Sequence, residues 1–322
     1  MRAMSTRPTT VCLFLVTAYA SISPAARAQQ QAPPRDPLVR ENATVKVSEH
    51  VYVIPDFETP GVPNIGIVVG NRATLVIDTG LGTRNGQTVL REAMKVSKNA
   101  EMYLAMTHFH PEHDLGAGAF PASAKLIRSQ DQQKDIAEFG LALARQFASR
   151  NAAMAELLKG AEFRKADISF DKEYHLDLGG VRVQMLAVGP THTRGDTVVF
   201  VEDDDVLFSG DVVMSAFPAL NPSGGSPTSS VRVWLATLDR LEALDPKTIV
   251  PSHRKMGNAS MINAYRDYFR ALQKRSAELK QQGKSMNETA EILKKEMPSK
   301  FPDMPNPDRV EAAARAAYSE AP

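Results

Sequence analysis

Residues 107–114 read Thr-His-Phe-His-Pro-Glu-His-Asp. Three of the chain's seven histidines, His108, His110 and His113, fall within six residues, with Glu112 among them. Imidazole nitrogens and carboxylate oxygens at this density suit a borderline-soft divalent ion such as zinc. A polar turn that happens to be rich in histidine is the alternative, but clustered histidine is a known mark of metal sites. Three further residues of the same types stand alone in short turns later in the chain. They are His192 in Gly-Pro-Thr-His-Thr-Arg-Gly, Asp211 in Ser-Gly-Asp, and His253 in Pro-Ser-His. The two remaining histidines, His50 and His175, lie in strand patterns and read as ordinary polar-face residues.

These residues need strand ends to hold them, and the flanking patterns supply strands. Residues 102–106, Met-Tyr-Leu-Ala-Met, form a short apolar run ahead of the histidine cluster and read as a buried strand. Residues 44–54 alternate apolar and polar around a Ser-Glu turn. Residues 64–69 and 73–78 flank Gly70-Asn71 as a hairpin, and a helix follows over about 84–97. Residues 125–129 give another short strand. Residues 130–166 then change character, with many Ala, Leu, Gln and Lys, and read as two helices over 130–149 and 152–159. This helical insertion serves either as a lid or as packing alone. Strands return over 173–178, 181–188, 197–201 and 206–209, with Asp203-Asp204-Asp205 as a solvated turn. Residues 221–230 form a Pro/Gly/Ser loop that either contacts substrate or is ordinary surface. A helix over 230–244 places Trp234 in the core, and a last buried strand, Thr248-Ile249-Val250, leads to His253. The remainder is helical over 259–282, 286–297 and 307–318, with Ser285 and Glu288 in capping-box spacing.

The chain has 322 residues, 43% hydrophobic and 23% charged, which fits a globular protein with a sizeable core. A formal charge of +1 gives no basic field for nucleic acid. Arg2 and Arg7, an uncharged apolar stretch over 10–22 and the Ala26-Arg27-Ala28 step read as a signal peptide over residues 1–28. An uncleaved membrane anchor is the alternative, and the apolar stretch is short for one. Cleavage removes Arg2, Arg7 and Arg27 with no acid, taking the formal charge from +1 to −2. It also removes Cys12, the only cysteine, so the mature chain has no disulfide and no thiolate ligand. The expected organisation is a signal peptide, a flexible leader over 29–43, a main domain over 44–257 and a helical extension over 258–322. The expected address is periplasmic or secreted, with no membrane contact after cleavage.

Asp78-Thr79-Gly80, His108-Phe109-His110-Pro111-Glu112-His113, Thr191-His192-Thr193, Gly210-Asp211 and Ser252-His253, in that order, resemble the motif series of the metallo-β-lactamase-fold hydrolases. The resemblance covers about residues 45–253, and the set is far more specific than any one piece. It implies an α/β four-layer αβ/βα sandwich, here with a helical insertion and a helical C-terminal extension. It implies that His108, His110 and His192 hold one zinc, that Glu112, His113 and His253 hold a second, and that Asp211 bridges them. A bridging hydroxide would then attack a small-molecule substrate, with Glu112 and Asp211 as the catalytic carboxylates. Asp78 would orient a ligand imidazole or simply cap its turn.

Two positions depart from the family pattern. The usual Asp is Glu112, whose extra methylene carries the carboxylate about 1.5 Å further. Three outcomes are compatible with that change: two zincs with Glu112 as ligand, one zinc with Glu112 as general base, or a relative with weak catalysis that acts by binding. Ser252-His253-Arg254 stands where Gly-His-Gly is common, and Arg254 either faces solvent or clamps an anion. The aspartate at 211 resembles the thioesterase, lactonase and ester-hydrolase members. The resemblance therefore implies cleavage of a carbonyl ester, thioester, lactone or amide, with β-lactamase activity and an iron-dependent redox member as alternatives. Iron or manganese could replace zinc. Oligomeric state is not legible.

Overall fold

The computed structural model describes residues 36–220 and 229–322. The expected signal peptide, the leader up to residue 35 and most of the loop expected over 221–230 lie outside the described residues. The first sheet takes β1 (Val45–Lys46), β2 (Val51–Ile54), β3 (Ile65–Val69), β4 (Ala73–Ile77), β5 (Glu101–Ala105), β6 (Lys125–Ser129) and β7 (Ile168–Phe170) in that spatial order. The second has five strands in the order β12-β11-β10-β9-β8. These are β8 (Glu173–Asp177), β9 (Arg182–Ala187), β10 (Thr197–Val201), β11 (Val206–Gly210) and β12 (Thr248–Pro251). β1 to β4 are antiparallel neighbours, and β4 to β7 run parallel. β11 and β12 are also parallel.

Alternation along the strands sorts side chains into layers. In β4, Ala73, Leu75 and Ile77 face the other sheet, while Val76 faces outward. The inward residues meet Val183, Met185, Val199, Val201 and Phe208 of the second sheet. Gly66 in β3 permits this approach, because a Cβ there would lie 2.4 Å from the Phe208 ring. Outside the first sheet lies α1 (Gly82–Val96), packing Val89 and Ala93 against Ile65, Ile67, Val76 and Leu104. Outside the second lie α6 (Val231–Glu242) and the C-terminal helices α7 (Ser260–Gln281), α8 (Met286–Lys300) and α9 (Val310–Glu320). This is the expected four-layer sandwich with a helical C-terminal extension. Trp234 is fully buried there and donates from Nε1 to Val212 O at 2.9 Å, a core role. The Ser285–Glu288 capping box forms at the start of α8.

Between α1 and α6 come the short α2 (Pro111–Asp114) and the insertion. The insertion is α3 (Gln130–Asp135), a π-turn (Ile136–Gly140), α4 (Leu141–Ala148) and α5 (Ala152–Leu157). Leu143, Phe147, Met154 and Leu157 pack on Leu81, Phe109 and Leu115.

Two expectations change. β7 closes the first sheet where only a connection was expected; its three residues are too few to show a period. The leader is also fixed earlier than expected. Val39 is buried, its N–H donates to Asn85 Oδ1 at 2.8 Å, and Asn85 Nδ2 donates back to Pro37 O at 2.8 Å. A stretch rich in Pro and charge looks like linker in sequence, and only the partner on α1 reveals that it is held.

Candidate metal centre

Every candidate ligand follows the carboxyl end of a strand. β5 leads to His108 and His110, and α2 carries Glu112 and His113. β9 leads to the loop bearing His192, β11 to Asp211 and β12 to His253. Pro111 opens α2 at its first position, where a missing N–H costs nothing. His110 remains in extended backbone just before it, so His110 and the Glu112–His113 pair approach the centre from different directions. Gly210 turns the chain with φ +58, which a glycine adopts freely, and a Cβ there would press on Thr107 at 3.1 Å.

The structure brings all seven residues together. Ligand atoms of His108, His110 and His192 lie within 4.8 Å of one another, as do those of His108, His113 and Asp211, and those of Glu112, His113 and His253. His192 Nε2 is 3.4 Å from His110 Nδ1 and 3.5 Å from Asp211 Oδ2. His253 Nε2 is 4.0 Å from Asp211 Oδ1, and His113 Nε2 is 4.0 Å from Glu112 Oε1. The longer Glu112 side chain therefore still reaches the group it was expected to join. His50 and His175 lie elsewhere. His50 pairs with Asp204 at 2.7 Å, and His175 is exposed.

The outer partners set which imidazole nitrogen faces inward. His113 Nδ1 donates to Asp78 Oδ2 at 2.8 Å, His192 Nδ1 to Ala219 O at 2.6 Å, and His253 Nδ1 to Val62 O at 3.0 Å. Each ring then presents Nε2 to the centre, as second-shell hydrogen bonds fix the tautomer of a ligand histidine. Asp78 fills both roles that its position suggests. It sits at φ +62, a left-handed conformation that aspartate tolerates. Its Oδ1 accepts from Thr107 N at 2.8 Å while its other oxygen holds His113. Asp196 braces the His192 loop by accepting from the Thr191 hydroxyl, and from Thr193 N at 2.9 Å.

The electrostatics favour a bound cation. Burial, with the neighbouring imidazoles, pushes His108 and His110 well below the usual histidine range, leaving them neutral. Burial also acts against a charge on His113, but Asp78, Glu112 and Asp211 outweigh it and raise the group to about 9. Burial opposes ionisation of Asp211, yet His253, His192 and His113 hold it below the usual carboxylate range. The carboxylates around His113 thus favour positive charge at this place. His108 Nε2, His113 Nε2, Glu112 Oε2 and Asp211 Oδ1 are buried with no hydrogen-bond partner among the described residues. Native proteins seldom leave such groups unpaired, so this donor set fits divalent metal.

Some residues around the centre carried no signal in sequence. Arg128 and Asp114 form a fully buried ion pair behind α2, and Asp114 ends the histidine motif, so its position was visible although its partner was not. Arg254, open between two roles in sequence, donates from Nη2 to Asn306 Oδ1 at 2.8 Å and lies 3.8 Å from Glu58. Arg150 and Arg309 line the cavity over the centre. Nothing near either in sequence marks them.

Comparison with known proteins agrees with this geometry. A linear primary-alkylsulfatase from Pseudomonas sp. (strain ATCC 19151) is 27% identical over 206 residues, 56% of this chain and 39% of that protein. A stereoselective inverting sec-alkylsulfatase from Pseudomonas sp. superposes with a TM-score of 0.68 at 17% identity, covering 86% of this chain and 50% of its own. A metallo-beta-lactamase from Pontibacter korlensis superposes with a TM-score of 0.56 at 20% identity, covering 70% of this chain and 98% of its own. The chain thus spans half or less of the length of the two alkylsulfatases. The family profile of the metallo-beta-lactamase superfamily matches residues 59–253, which include all seven candidate ligands. With the sandwich fold and that match over more than half of its length, this chain belongs to the metallo-beta-lactamase superfamily, whose members are metal-dependent hydrolases.

Proposed function

We propose that the chain is an exported binuclear zinc hydrolase that cleaves an ester-type bond in a small molecule. The observation that carries the reading is the convergence of unpartnered buried nitrogen and oxygen atoms from both sheets on one volume. Each costs about 1–3 kcal/mol if left unsatisfied, and a pair of cations removes that cost. A set of imidazoles and carboxylates without thiolate suits zinc. His108, His110 and His192 would hold one ion, Glu112, His113 and His253 the other, with Asp211 between them. When bound, such ions polarise the scissile bond and lower the pKa of a water.

The chain's own groups set the geometry for that chemistry. Asp78, Ala219 O and Val62 O fix the rings of His113, His192 and His253. Glu112 lines both cavities at the centre, with Oε1 turned toward His113 and Oε2 unpartnered. Its carboxylate is thus placed either to join the second ion or to act as general base on a water beside it. Carbonyl esters, thioesters, lactones and amides are the first substrate class. Sulfate esters are the second, favoured by the likeness to the linear primary-alkylsulfatase. Export rests on the pattern of residues 1–28.

The test is metal content and turnover of the chain beginning at residue 29. The expected result is close to two zinc equivalents and hydrolysis in a panel of 4-nitrophenyl acetate, a thioester, a lactone, a β-lactam and an alkyl sulfate, with turnover lost in His110→Ala. Two bound zincs with no turnover anywhere in the panel would overturn the hydrolase reading.

A further inference from the structure

The cavity that opens on the metal centre has a volume of about 270 Å³, and two of its walls are cationic. Arg150 stands just past α4, in the insertion, with its guanidinium 3.5 Å from the Phe147 ring centroid. The same Phe147 ring lies 6.4 Å from His110. Arg309 precedes α9, in the C-terminal extension, and Nη1 donates to Phe217 O at 3.1 Å. Neither guanidinium has a carboxylate within 4.0 Å among the described residues. Both line the same cavity as His110, Glu112, His192, Asp211 and His253.

Arg254 shows what a balanced arginine looks like here. It lines a second cavity that Glu112 and His253 also border, where Glu58 lies 3.8 Å from its guanidinium and Asp56, another lining acid, accepts from its backbone N–H at 2.7 Å. Arg309 lines both cavities. The two approaches to the centre therefore differ in charge. One carries Arg150 and Arg309 with no acid apart from the metal-facing Glu112 and Asp211, and the other is charge-balanced.

We infer that Arg150 and Arg309 form an anion subsite beside the metal centre, so that the substrate is an ester carrying an oxyanion, sulfate-type or carboxylate, next to its scissile bond. The inference rests on the hydrolase reading for the word substrate; the subsite itself does not depend on turnover. Guanidinium forks match such oxyanions with paired hydrogen bonds, and the half-buried Arg309 and the exposed Arg150, with no carboxylate partner among the described residues, are ready to make them. The anion would enter the cavity of Arg150 and Arg309, and the leaving portion would face the balanced side. The insertion, open in sequence between lid and packing, and the C-terminal extension would each contribute one cation.

The experiment reads binding rather than turnover. Inorganic sulfate and acetate are titrated separately, at constant ionic strength, into the zinc-loaded full mature chain, its Arg309→Gln, Arg309→Lys and Arg150→Gln variants, and Arg254→Gln as a comparison. The expected result is at least a tenfold weaker Kd for one or both anions in Arg309→Gln and in Arg150→Gln. Arg309→Lys should recover part of the loss, and Arg254→Gln should lie within threefold of the parent. Either anion should also slow phenylglyoxal modification of Arg150 and Arg309, mapped by mass spectrometry. Arg150 is exposed and its guanidinium lies on the Phe147 ring, so Arg150→Gln is expected to fold, which its melting temperature checks. Equal affinities across all variants, or no protection of either arginine, would overturn the subsite. An inactive protein that still shows the arginine dependence would fail the hydrolase reading and leave the subsite standing.

Discussion

Arg128→Met tests the reasoning about the support behind the centre. Arg128 is the penultimate residue of β6 and is fully buried, and its Nη2 donates to Asp114 Oδ1 at 2.7 Å. Asp114 is the last residue of α2, the turn that carries Glu112 and His113. Replacing Arg128 leaves a carboxylate in a dry site. Asp114 can always escape by taking up a proton, and that sets a ceiling on the cost. From an ordinary value near 3.9, protonation at pH 7 costs about 3 pKa units at 1.36 kcal/mol each, or about 4 kcal/mol. The parent already bears part of this, because burial holds the Asp114 carboxyl above its ordinary range even beside Arg128. The expected loss is therefore about 2–4 kcal/mol at pH 7, consistent with breaking a buried pair from one side. At pH 5 the same ceiling falls to about 1.5 kcal/mol, so the loss must shrink as pH falls. Urea unfolding of the metal-free protein at both pH values measures it. Arg128→Met combined with Asp114→Asn should recover most of the loss at pH 7, since an amide needs no proton. A loss under about 1 kcal/mol at pH 7, or one that does not shrink toward pH 5, would refute the account of this pair.

Two further outcomes follow from the hydrogen bonds around the ligands. Asp78→Asn removes the charge that holds the His113 ring, so zinc affinity at one of the two sites should fall roughly 10–100-fold in chelator competition; two unchanged affinities would contradict the orienting role. Asp135 in the insertion accepts from Gly195 N at 2.8 Å and pairs with Arg194 at 3.1 Å, fastening the His192 loop. Burial, against the Gly195 N–H and Arg194, raises its carboxyl to about 7. A folded value above the unfolded one means that the native state holds the proton more tightly. The stabilisation is full below about pH 4 and is lost as pH rises through about 7, on the order of 2–4 kcal/mol in all. Asp135→Asn keeps an oxygen for Gly195 and lacks the titration, so its stability relative to the parent should rise between pH 5 and pH 8; a constant difference over that window would show that Asp135 is not so shifted.

The candidate ligands were legible because their chemistry is local. Each imidazole or carboxylate sits in a turn just past an apolar run, and the runs betray strands by composition and period. Layers followed from the same alternation, as in β4, and the C-terminal helices from spacing and the Ser285 cap. What failed to show depended on partners distant in sequence. Pro37 and Val39 look like linker until Asn85, on α1, accounts for their backbone groups. β7 is three residues long and exists as a strand because Ile127 and Ser129 offer an edge. Arg309 is one of several charged residues on an exposed-looking turn, and its place at the centre arises only when the extension folds back on the second sheet.

The division of labour between core and additions follows from this arrangement. Each triad of candidate ligands draws two members from the first sheet's end and one from the second's. The centre is therefore complete only when both sheets are packed, and Gly66 under Phe208 sets how closely they meet. The candidate ligands are thereby tied to the core, where a change of one residue disturbs packing as well as chemistry. Arg150 and Arg309 are not. They reach the same cavity from the insertion and the extension, outside the matched residues 59–253 in the case of Arg309. Such peripheral segments tolerate substitution better than a close-packed core does. Selectivity for the substrate's charge can then be altered at Arg150 or Arg309 while His108, Asp211 and the other ligands, and the hydrogen bonds that orient them, remain in place.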